Sequence, residues 1–191
     1  MLSVIIPTRN SERALVATLA ALVRGATAGL VAEVILADGG STDDTAAVAD
    51  VAGCRLMAVD GPLAGRLKAA AAAARGPWLL FLRPGTVLDP SWTDAVDQFL
   101  QSASSREAAV FRRGAPAQSP WRDVAALFKA ALGAPPHPDQ GLLISKRLYD
   151  SLGGHRQRAA DPERDLMRRI GRRRRVRLAS AALAGGGQIL D

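Results

Sequence analysis

Three short polar loops each follow an apolar run of the sequence, and their residue types are suited to binding a ligand. "PTRN" follows "LSVII", "DGGSTDD" follows "AEVILA", and "RPGT" follows "WLLFL". In open α/β sheets, ligands bind at the carboxyl ends of the strands, near a switch in strand order. If the apolar runs are strands of one sheet, the three loops define the predicted site.

The second loop carries the strongest signal for polar contacts. Asp38 stands at the strand end, where its carboxylate can accept a hydrogen bond from a base N–H or a ribose hydroxyl. Gly39 and Gly40 permit backbone conformations that other residues avoid, and residues 41–43 are of types that cap a following helix. A well-made turn with no ligand explains the same pattern, so both interpretations stay open.

The elements around these loops predict an α/β fold. Apolar runs alternate with helical patterns four times, which favours right-handed crossovers, a mainly parallel, Rossmann-like sheet and helices on both faces. The composition, 48% hydrophobic and 4% aromatic, indicates an aliphatic core. The predicted strands are 2–6, 32–37, 54–59, 78–82, 107–114, 141–145 and 176–183, and the predicted helices begin at or near 10, 41, 66, 90, 146 and 161.

One domain over 1–191 is expected, with halves at 1–89 and 90–191. Residues 114–139 are less regular and predict an insertion over the sheet that holds one helix, "WRDVAALFKAALG". Trp121 in this helix either covers the predicted binding cleft or packs in the core.

The charge balance is basic, with 25 Lys and Arg against 18 Asp and Glu, a formal net charge of +7. A phosphate-bearing partner and a coding bias toward arginine both explain it. The run from Arg168 to Arg177 either contacts anionic lipid head groups or a lipid-linked phosphate acceptor, or forms a solvated helix end. Nucleic acid is not expected as a partner, because no aromatic residues interleave with the basic ones.

Compartment signals are weak. Cys54 is the only cysteine, the N-terminal segment has no basic region before its apolar run, and no window reaches the roughly 18 apolar residues of a membrane span. The expected location is cytoplasmic, with contact at a membrane surface as an option.

The sequence resembles a known family. "SVIIPTRN", "EVILADGGSTDDT" and "GRLKAAAAAARGPWLLFL" resemble the start of a family 2 glycosyltransferase, and "PDQGLLISKRLYDSLGG" resembles a compact bacterial subgroup of it. The resemblance extends over residues 2 to about 178 and implies a GT-A fold that binds a nucleotide-diphospho-sugar with its 1–89 half and the acceptor with its 90–191 half. It implies that the first loop lines the nucleotide pocket, that the Asp38 loop contacts the base, and that the start of the third helix approaches the base and diphosphate. The matching residues are Pro7, Thr8, Asn10, Asp38, Gly39, Gly65 and Arg66. For the last two, a helix N-terminus with a solvated arginine is the alternative.

The chain departs from the family where strand four ends. Members carry an Asp-x-Asp element there that holds Mn²⁺ or Mg²⁺, whereas this sequence has Arg83, Pro84 and Gly85. Hard cations need oxygen ligands, so neither metal is expected at this position. Arg83 either neutralises the diphosphate in place of the metal or marks a site that has lost catalysis; Asp89 either reaches in as a ligand or caps the next helix.

A second departure concerns the catalytic base. The family places a carboxylate base before the last helix, and the matching residue is Glu163, with Pro162 at the position of its acidic neighbour. Asp161 and Asp165 are alternative bases, and a helix dipole that favours acids in its first turn is the non-catalytic explanation for all three. Gln140 in "DQGLLIS" is expected to contact acceptor or water, and His137 and His155 are expected at the surface.

These observations predict transfer of a sugar from a nucleotide-diphospho-sugar to an acceptor hydroxyl, with inversion and without a metal. The alternative is a catalytically inactive nucleotide-sugar-binding relative that acts as a sensor or partner. A nucleotidyltransferase is a weaker alternative, since no glycine-rich loop with a lysine follows the first strand.

Overall fold

A computed structural model describes residues 1–114 and 137–184. The strands are β1 Leu2–Thr8, β2 Val31–Asp38, β3 Arg55–Ala58, β4 Trp78–Phe81, β5 Thr86–Leu88, β6 Ala108–Gly114, β7 Leu142–Ser145 and β8 Arg175–Ala184. The helices, numbered here over the described residues, are α1 Glu12–Thr27, α2 Thr45–Val51, α3 Leu63–Ala73, α4 Trp92–Ser102, α5 Lys146–Ser151 and α6 Pro162–Ile170. Two short 3-10 helices, Pro138–Gln140 and Arg172–Arg174, complete the described elements.

All eight strands form one sheet in the order β3-β2-β1-β4-β7-β6-β8-β5. The first four strands in that order pair in parallel, β7 runs antiparallel to both β4 and β6, and β8 is parallel to β6 and antiparallel to β5. The predicted α/β architecture is therefore confirmed, and β4 lies at the centre, where the strand direction reverses.

Both faces of the sheet are buried at its central strands β1, β4 and β7, as their apolar sequences require. In β1, Leu2, Val4 and Ile6 lie in one core cluster and Ile5 lies in the other, because successive side chains point to opposite faces. Helices α1, α2 and α4 contribute to the first cluster, and α3, α5 and α6 contribute to the second. Helices thus cover both faces, as the sequence predicted.

Several boundaries differ from the sequence prediction. Helix α3 begins at Leu63, before Arg66, and α4 begins at Trp92 with Ser91 as its N-cap, so Pro90 precedes the helix instead of opening it. The pattern "DPERDLMRRIGRRR" predicts a helix as far as residue 174, but α6 ends at Ile170, because Gly171 adopts a φ of +76° that breaks the helix. Strand β5 was not predicted, since three residues carry too little periodicity to be recognised.

The predicted insertion lies almost entirely outside the described residues, and so do its helix and Trp121. Its last two residues, Pro138 and Asp139, form with Gln140 a 3-10 helix that the sequence did not indicate. Among the described residues, no helix has the length and apolar character needed to cross a membrane.

Candidate active site

The first two predicted loops meet at the carboxyl ends of β1 and β2. Thr8 and Asp38 are register partners in the parallel ladder, and the Gly39 N–H donates to the Thr8 carbonyl at 2.9 Å. The Thr8 hydroxyl donates to the Asp38 carboxylate at 2.8 Å. The register of the two strands therefore brings Thr8, Asp38 and Gly39 together, next to the buried Pro7.

The Asp38 carboxylate organises its own loop. Besides Thr8, it accepts hydrogen bonds from the Gly40 N–H at 3.0 Å, the Ser41 N–H at 2.8 Å and the Ser41 hydroxyl at 2.5 Å. Burial by itself raises the pKa of Asp38, but the hydrogen bonds from Ser41, Thr8 and Gly40 outweigh it and hold the pKa below its ordinary value. Asp38 is 5% exposed. Its four acceptor positions are thus filled from within the protein.

Asn10 fastens the first loop to the second. Its φ of +49° lies in the left-handed region, which asparagine tolerates better than most residues. Its backbone N–H donates to the Ser41 hydroxyl at 2.9 Å, and its side-chain oxygen accepts from the Thr42 N–H at 2.8 Å. Ser41 and Thr42 therefore bind neighbouring loop residues, where the sequence predicted that they cap α2.

Asp43 stabilises the N-termini of two helices. Its carboxylate accepts from the Thr45 N–H at 3.1 Å at the start of α2 and from the Glu12 N–H at 3.0 Å at the start of α1. Ser11 occupies the N-cap position of α1 without a capping hydrogen bond from its side chain. A residue of the loop after β2 thus binds the N-terminus of α1.

Arg66 is buried under the same two loops. It is 5% exposed, and one guanidinium nitrogen donates to the Thr8 carbonyl at 2.9 Å. A Cβ added at Gly39 would lie 2.1 Å from that nitrogen, so glycine is required at position 39 for space. At position 40 glycine is required by the backbone, because its φ of +83° lies in the left-handed region. The alternative of a solvated arginine is wrong. Gly65 precedes Arg66 in the first turn of α3, where an added Cβ would lie 3.1 Å from the Gln157 amide.

The third loop is a tight turn that presents Arg83. The Thr86 N–H donates to the Arg83 carbonyl at 3.1 Å, and Gly85 has a φ of +85°, as in a type II turn with proline and glycine at its centre. The Gly85 N–H donates to Thr18 of α1 at 2.8 Å. Pro84 and Gly85 therefore serve the backbone turn, and Arg83 provides the only charge of the three residues.

Arg83 forms an ion pair with Glu163. Its Nε donates to the Glu163 carboxylate at 3.0 Å, a second guanidinium nitrogen contacts the same oxygen, and a third contacts Asp139 at 3.3 Å. Glu163 is 8% exposed, and the Arg83 side chain is 26% exposed. Asp139 also contacts Nδ1 of His137 at 2.8 Å. The structure thus joins the two residues that the sequence assigned to the diphosphate and to the base.

The electrostatics of the pair follow from its burial. Burial raises the pKa of Glu163 above its ordinary value, although Arg83 acts in the opposite direction. Burial also lowers the pKa of Arg83, but the hydrogen bond and charge of Glu163 reverse this and raise it, so the guanidinium stays charged. The charged side chains at the end of β4 are therefore one permanent cation, Arg83, and the two carboxylates that contact it, Asp139 and Glu163.

The other two candidate bases lie in different surroundings. Asp161 is the N-cap of α6, accepting from the Arg164 N–H at 2.9 Å, and forms an ion pair with the Arg164 side chain. Asp165 forms ion pairs with Arg168 at 3.1 Å and Arg169 at 2.8 Å. Of the three acids, Glu163 is the one whose carboxylate contacts Arg83. Asp89 accepts from the Ser91 N–H at 3.0 Å and from its hydroxyl at 2.6 Å, so it holds the N-cap residue of α4 and is not itself the cap.

Two expectations for polar residues were wrong. His155 is 2% exposed, with Nδ1 2.9 Å from the Tyr149 hydroxyl, and burial lowers its pKa to about 3. Gln140 is buried, donates to the Phe111 carbonyl at 2.8 Å and accepts from the His137 N–H at 2.8 Å. His137 is at the N-cap of the 3-10 helix, and its side chain is 32% exposed, so it lies at the surface as expected. Both histidines lie in short loops, where the sequence carries no burial pattern.

A divalent cation does not fit the donor set around Arg83. Within the described ranges, no three His, Cys, Asp or Glu side chains are grouped so that they could hold a metal ion. The carboxylates nearest the end of β4, those of Asp139 and Glu163, both face the guanidinium. A cation placed between them would compete with Arg83 for the same oxygens.

The fold matches solved glycosyltransferases of the GT-A class. Glucosyl-3-phosphoglycerate synthase from Mycobacterium tuberculosis, solved with Mn²⁺, UDP and glucosyl-3-phosphoglycerate, aligns with a TM-score of 0.72 at 20% identity, over 100% of this chain and 73% of that one. A mannosyltransferase from Pyrobaculum calidifontis, in complex with GDP-Man and Mn²⁺, aligns with a TM-score of 0.74 at 16% identity, over 98% of this chain and 57% of that one. S. aureus TarS aligns with a TM-score of 0.71 at 19% identity, over 96% and 60%. The chain therefore spans less than two thirds of the last two structures.

The sequence profile of glycosyl transferase family 2 matches residues 3–107. The chain belongs to this family. Comparison with curated proteins finds no match. Membership supports sugar transfer from a nucleotide-sugar as the general activity.

Proposed function

We propose that this protein transfers a sugar from a nucleotide-diphospho-sugar to an acceptor hydroxyl, with inversion and without a metal at the usual site. Family membership and the GT-A fold support the general reaction. The structurally similar proteins from M. tuberculosis and P. calidifontis bind UDP and GDP-Man, which supports a nucleoside diphosphate as the leaving group.

The observation that carries the proposal is the Arg83–Glu163 ion pair at the end of β4. A guanidinium binds two phosphate oxygens at once through parallel N–H groups, and it stabilises the negative charge that develops on a leaving diphosphate. We infer that Arg83 does this work where other members use a metal ion.

The nucleotide is proposed to bind over the joined loops of β1 and β2. The buried Pro7 and Thr8 shape one side, whose exposed residue is Asn10, and the loop of Asp38 and Gly39 supplies the other. Because the acceptor positions of the Asp38 carboxylate are filled by loop donors, we assign Asp38 to shaping the surface that contacts the base. Arg66 stabilises this surface through its hydrogen bond to the Thr8 carbonyl. We assign Arg66 and Gly65 to the part of the site that lies toward the diphosphate.

The proposed reaction begins when the diphosphate draws Arg83 away from Glu163. The freed carboxylate accepts the proton of the acceptor hydroxyl, and the hydroxyl oxygen attacks the anomeric carbon from the face opposite the diphosphate. The bond between the anomeric carbon and the phosphate oxygen breaks, and its electron pair leaves with the nucleoside diphosphate beside Arg83. Burial raises the pKa of Glu163, which suits a general base.

One observation favours the alternative of a nucleotide-sugar-binding protein without transfer. Arg83 and Glu163 satisfy each other, and the neighbouring position that carries an acid in the family is Pro162. In that case, the ion pair is a structural replacement for a lost catalytic centre.

Donor binding without metal is the first test. Calorimetric titration with UDP-, GDP- and dTDP-sugars, each with EDTA and with Mn²⁺, should give the same affinity in both conditions. Arg83→Ala should weaken binding by about tenfold or more, because a charge-assisted contact to phosphate is lost. Arg106→Ala, which removes an exposed arginine from a loop, is the control and should bind normally. Binding that disappears in EDTA would contradict the proposal.

Turnover separates the two functions. Release of nucleoside diphosphate in the presence of a panel of hydroxyl acceptors is expected for the wild type, and Glu163→Gln should reduce it by about 10²–10⁴-fold while sparing donor binding. Asp165→Asn is the comparison variant and should retain activity. Donor binding with no release by the wild type would favour the inactive relative, and release of pyrophosphate would indicate a nucleotidyltransferase.

A further inference from the structure

A cationic pocket lies at the C-terminal end of α6, away from the loops of β1 and β2 that are proposed to bind the nucleotide. Its volume is 430 Å³, and the described residues that line it are His137, Arg164, Met167, Arg168, Gly171, Arg172 and Arg175. Of these seven described residues, four are arginines and none is acidic. The arginines that line this pocket are not among the residues proposed to bind the nucleotide-sugar donor.

The sequence builds this pocket through its spacing. Arg164 and Arg168 lie one turn apart on the same face of α6, and Arg172 begins the 3-10 helix that follows Gly171. Gly171, with its positive φ, ends the helix and directs the chain into β8, whose first residue is Arg175. Met167 is buried and forms an apolar floor.

The positive charge in the pocket is only partly neutralised. Arg164 pairs with Asp161 at 3.1 Å, and Arg168 pairs with Asp165 at 3.1 Å, but Asp165 is shared with Arg169 at 2.8 Å. Arg175 donates to the uncharged Met167 carbonyl at 3.2 Å. Among the described contacts, Arg164 and Arg168 therefore rely on two carboxylates, one of them shared with Arg169, and Arg175 contacts a carbonyl, so the positive charge at these three pocket arginines exceeds the negative charge.

Arg175 shows the resulting electrostatic strain. Burial lowers the pKa of its guanidinium, and the neighbouring charges of Arg172 and Arg177 lower it further. A bound anion would reduce this repulsion.

Two side-chain contacts connect the pocket to the Arg83–Glu163 ion pair. His137 lines the pocket and contacts Asp139, which in turn contacts Arg83. Arg164 directly follows Glu163 on α6. An acceptor held in the pocket could therefore present a hydroxyl toward the proposed base.

We propose that this pocket binds the phosphate group of the acceptor, so that the acceptor is a phosphorylated molecule. Planar guanidinium groups match phosphate oxygens in geometry and charge, and the volume admits a phosphate with a small attached group. The inference rests on the proposed function, because it names the acceptor class for that reaction. A soluble phosphomonoester and a lipid phosphate share this chemistry.

The test measures phosphate binding without any donor. The full chain is titrated with inorganic phosphate and glycerol 3-phosphate, and its sedimentation is measured with vesicles of phosphatidylcholine alone and of equal parts phosphatidylcholine and phosphatidic acid. The double variant Arg168→Gln/Arg172→Gln should weaken binding by about tenfold or more. The control Arg173→Gln/Arg174→Gln removes the same charge from exposed residues of the same segment that do not line the pocket, and it should bind within about twofold of the wild type.

The probes distinguish the sources of the phosphate. Binding of glycerol 3-phosphate that depends on the pocket arginines supports a soluble acceptor, and pocket-dependent binding of the phosphatidic acid vesicles alone supports a lipid acceptor. Equal loss in both double variants would overturn the proposal in favour of unspecific charge attraction, and so would the absence of binding to every probe. The single variant Arg172→Gln, which alters one exposed side chain, repeats the test with little effect on folding. Because no donor is present, these outcomes are independent of the donor titration that tests the proposed function.

Discussion

Arg83 and Glu163 neutralise each other in a largely buried place, so removal of either one leaves a charge without its partner. Arg83→Met or Glu163→Gln alone is expected to lower the free energy of unfolding by about 2–4 kcal/mol, and the double variant should lose clearly less than the sum. Urea denaturation of the four proteins gives this coupling. Additive losses would mean that the ion pair contributes nothing to stability.

His155 is expected to make stability depend on pH. In the unfolded chain its pKa is about 6.5, whereas burial lowers it to about 3 in the fold. Below about pH 6.5 the unfolded state therefore binds a proton that the folded state does not, and acidification disfavours folding by up to about 1.4 kcal/mol per pH unit until the folded pKa is reached.

The measurement is the free energy of unfolding at roughly pH 7 and pH 5, where His155 accounts for a loss of about 2 kcal/mol. His155→Gln should remove this part of the pH dependence, and His137→Gln should keep it. Identical slopes for the wild type and His155→Gln would refute the assignment.

At this scale the sequence identified which residues are chemically unusual but not what they contact. Arg83 was found because it stands where carboxylates are expected, and Glu163 because of its place before the last helix. Their contact spans 80 positions and depends on how α6 packs beside β4, which no local pattern encodes. Tyr149 and His155 are only six positions apart, but the glycines between them hide the burial of the histidine.

The loop after β2 contains two adjacent glycines that are required for different reasons. Gly39→Ala should place a methyl group against Arg66 and destabilise the protein by about 1–3 kcal/mol through overpacking. Gly40→Ala has open space around it and should cost about 1–2 kcal/mol through its left-handed backbone.

Arg66→Ala distinguishes the two causes. Combined with Gly39→Ala, it should remove most of the additional cost of the methyl group, whereas the cost of Gly40→Ala should be unchanged. Thermal unfolding of the singles and doubles measures both couplings, and equal coupling of the two glycines to Arg66 would contradict this explanation.

Asp43 links two helices through one carboxylate. Asp43→Ala should lower the free energy of unfolding by about 1–2 kcal/mol, since the N–H groups of Glu12 and Thr45 both lose an acceptor. Asp44→Ala is the matched control, because Asp44 is at the N-cap position of α2 but makes no capping hydrogen bond from its side chain. Equal effects of the two changes would mean that the bridging contact is unimportant.

At the scale of elements, periodicity predicted most helices and strands, but not how their ends are fixed. The sequence predicts that residues 41–43 cap α2, but these residues also bind the loop after β1 and the start of α1. The loops of β1 and β2 exchange these hydrogen bonds across about 30 positions, which a local pattern does not show. The need for space at Gly39 depends on Arg66, which belongs to the following βα unit.

The whole molecule is expected to unfold as one unit. The proposed halves 1–89 and 90–191 share one sheet, since β4 pairs with β7, and both core clusters contain residues from each side of position 89. Far-UV circular dichroism and tryptophan fluorescence should therefore give coincident urea transitions. Separate transitions would show that the halves are independent domains.

The fold class could be predicted from sequence because four strand–helix alternations leave few topologies. The order of strands β5 to β8 in the sheet could not be predicted, because β5 pairs with the distant β8, and β6 pairs with both β7 and β8. These pairings are set by the global packing of the sheet.

The place of β8 in the sheet has a consequence for synthesis on the ribosome. β5 pairs with β8 at the sheet edge, and β6 lies between β7 and β8. The pairing of β5 and β6 is therefore complete only when residues 175–184 are available. Until that segment has left the ribosome, two strands of the growing chain present unpaired backbone groups, a state prone to aggregation. Completion of the sheet is therefore expected to follow translation of almost all described residues, and a chain interrupted before residue 175 should depend strongly on chaperones.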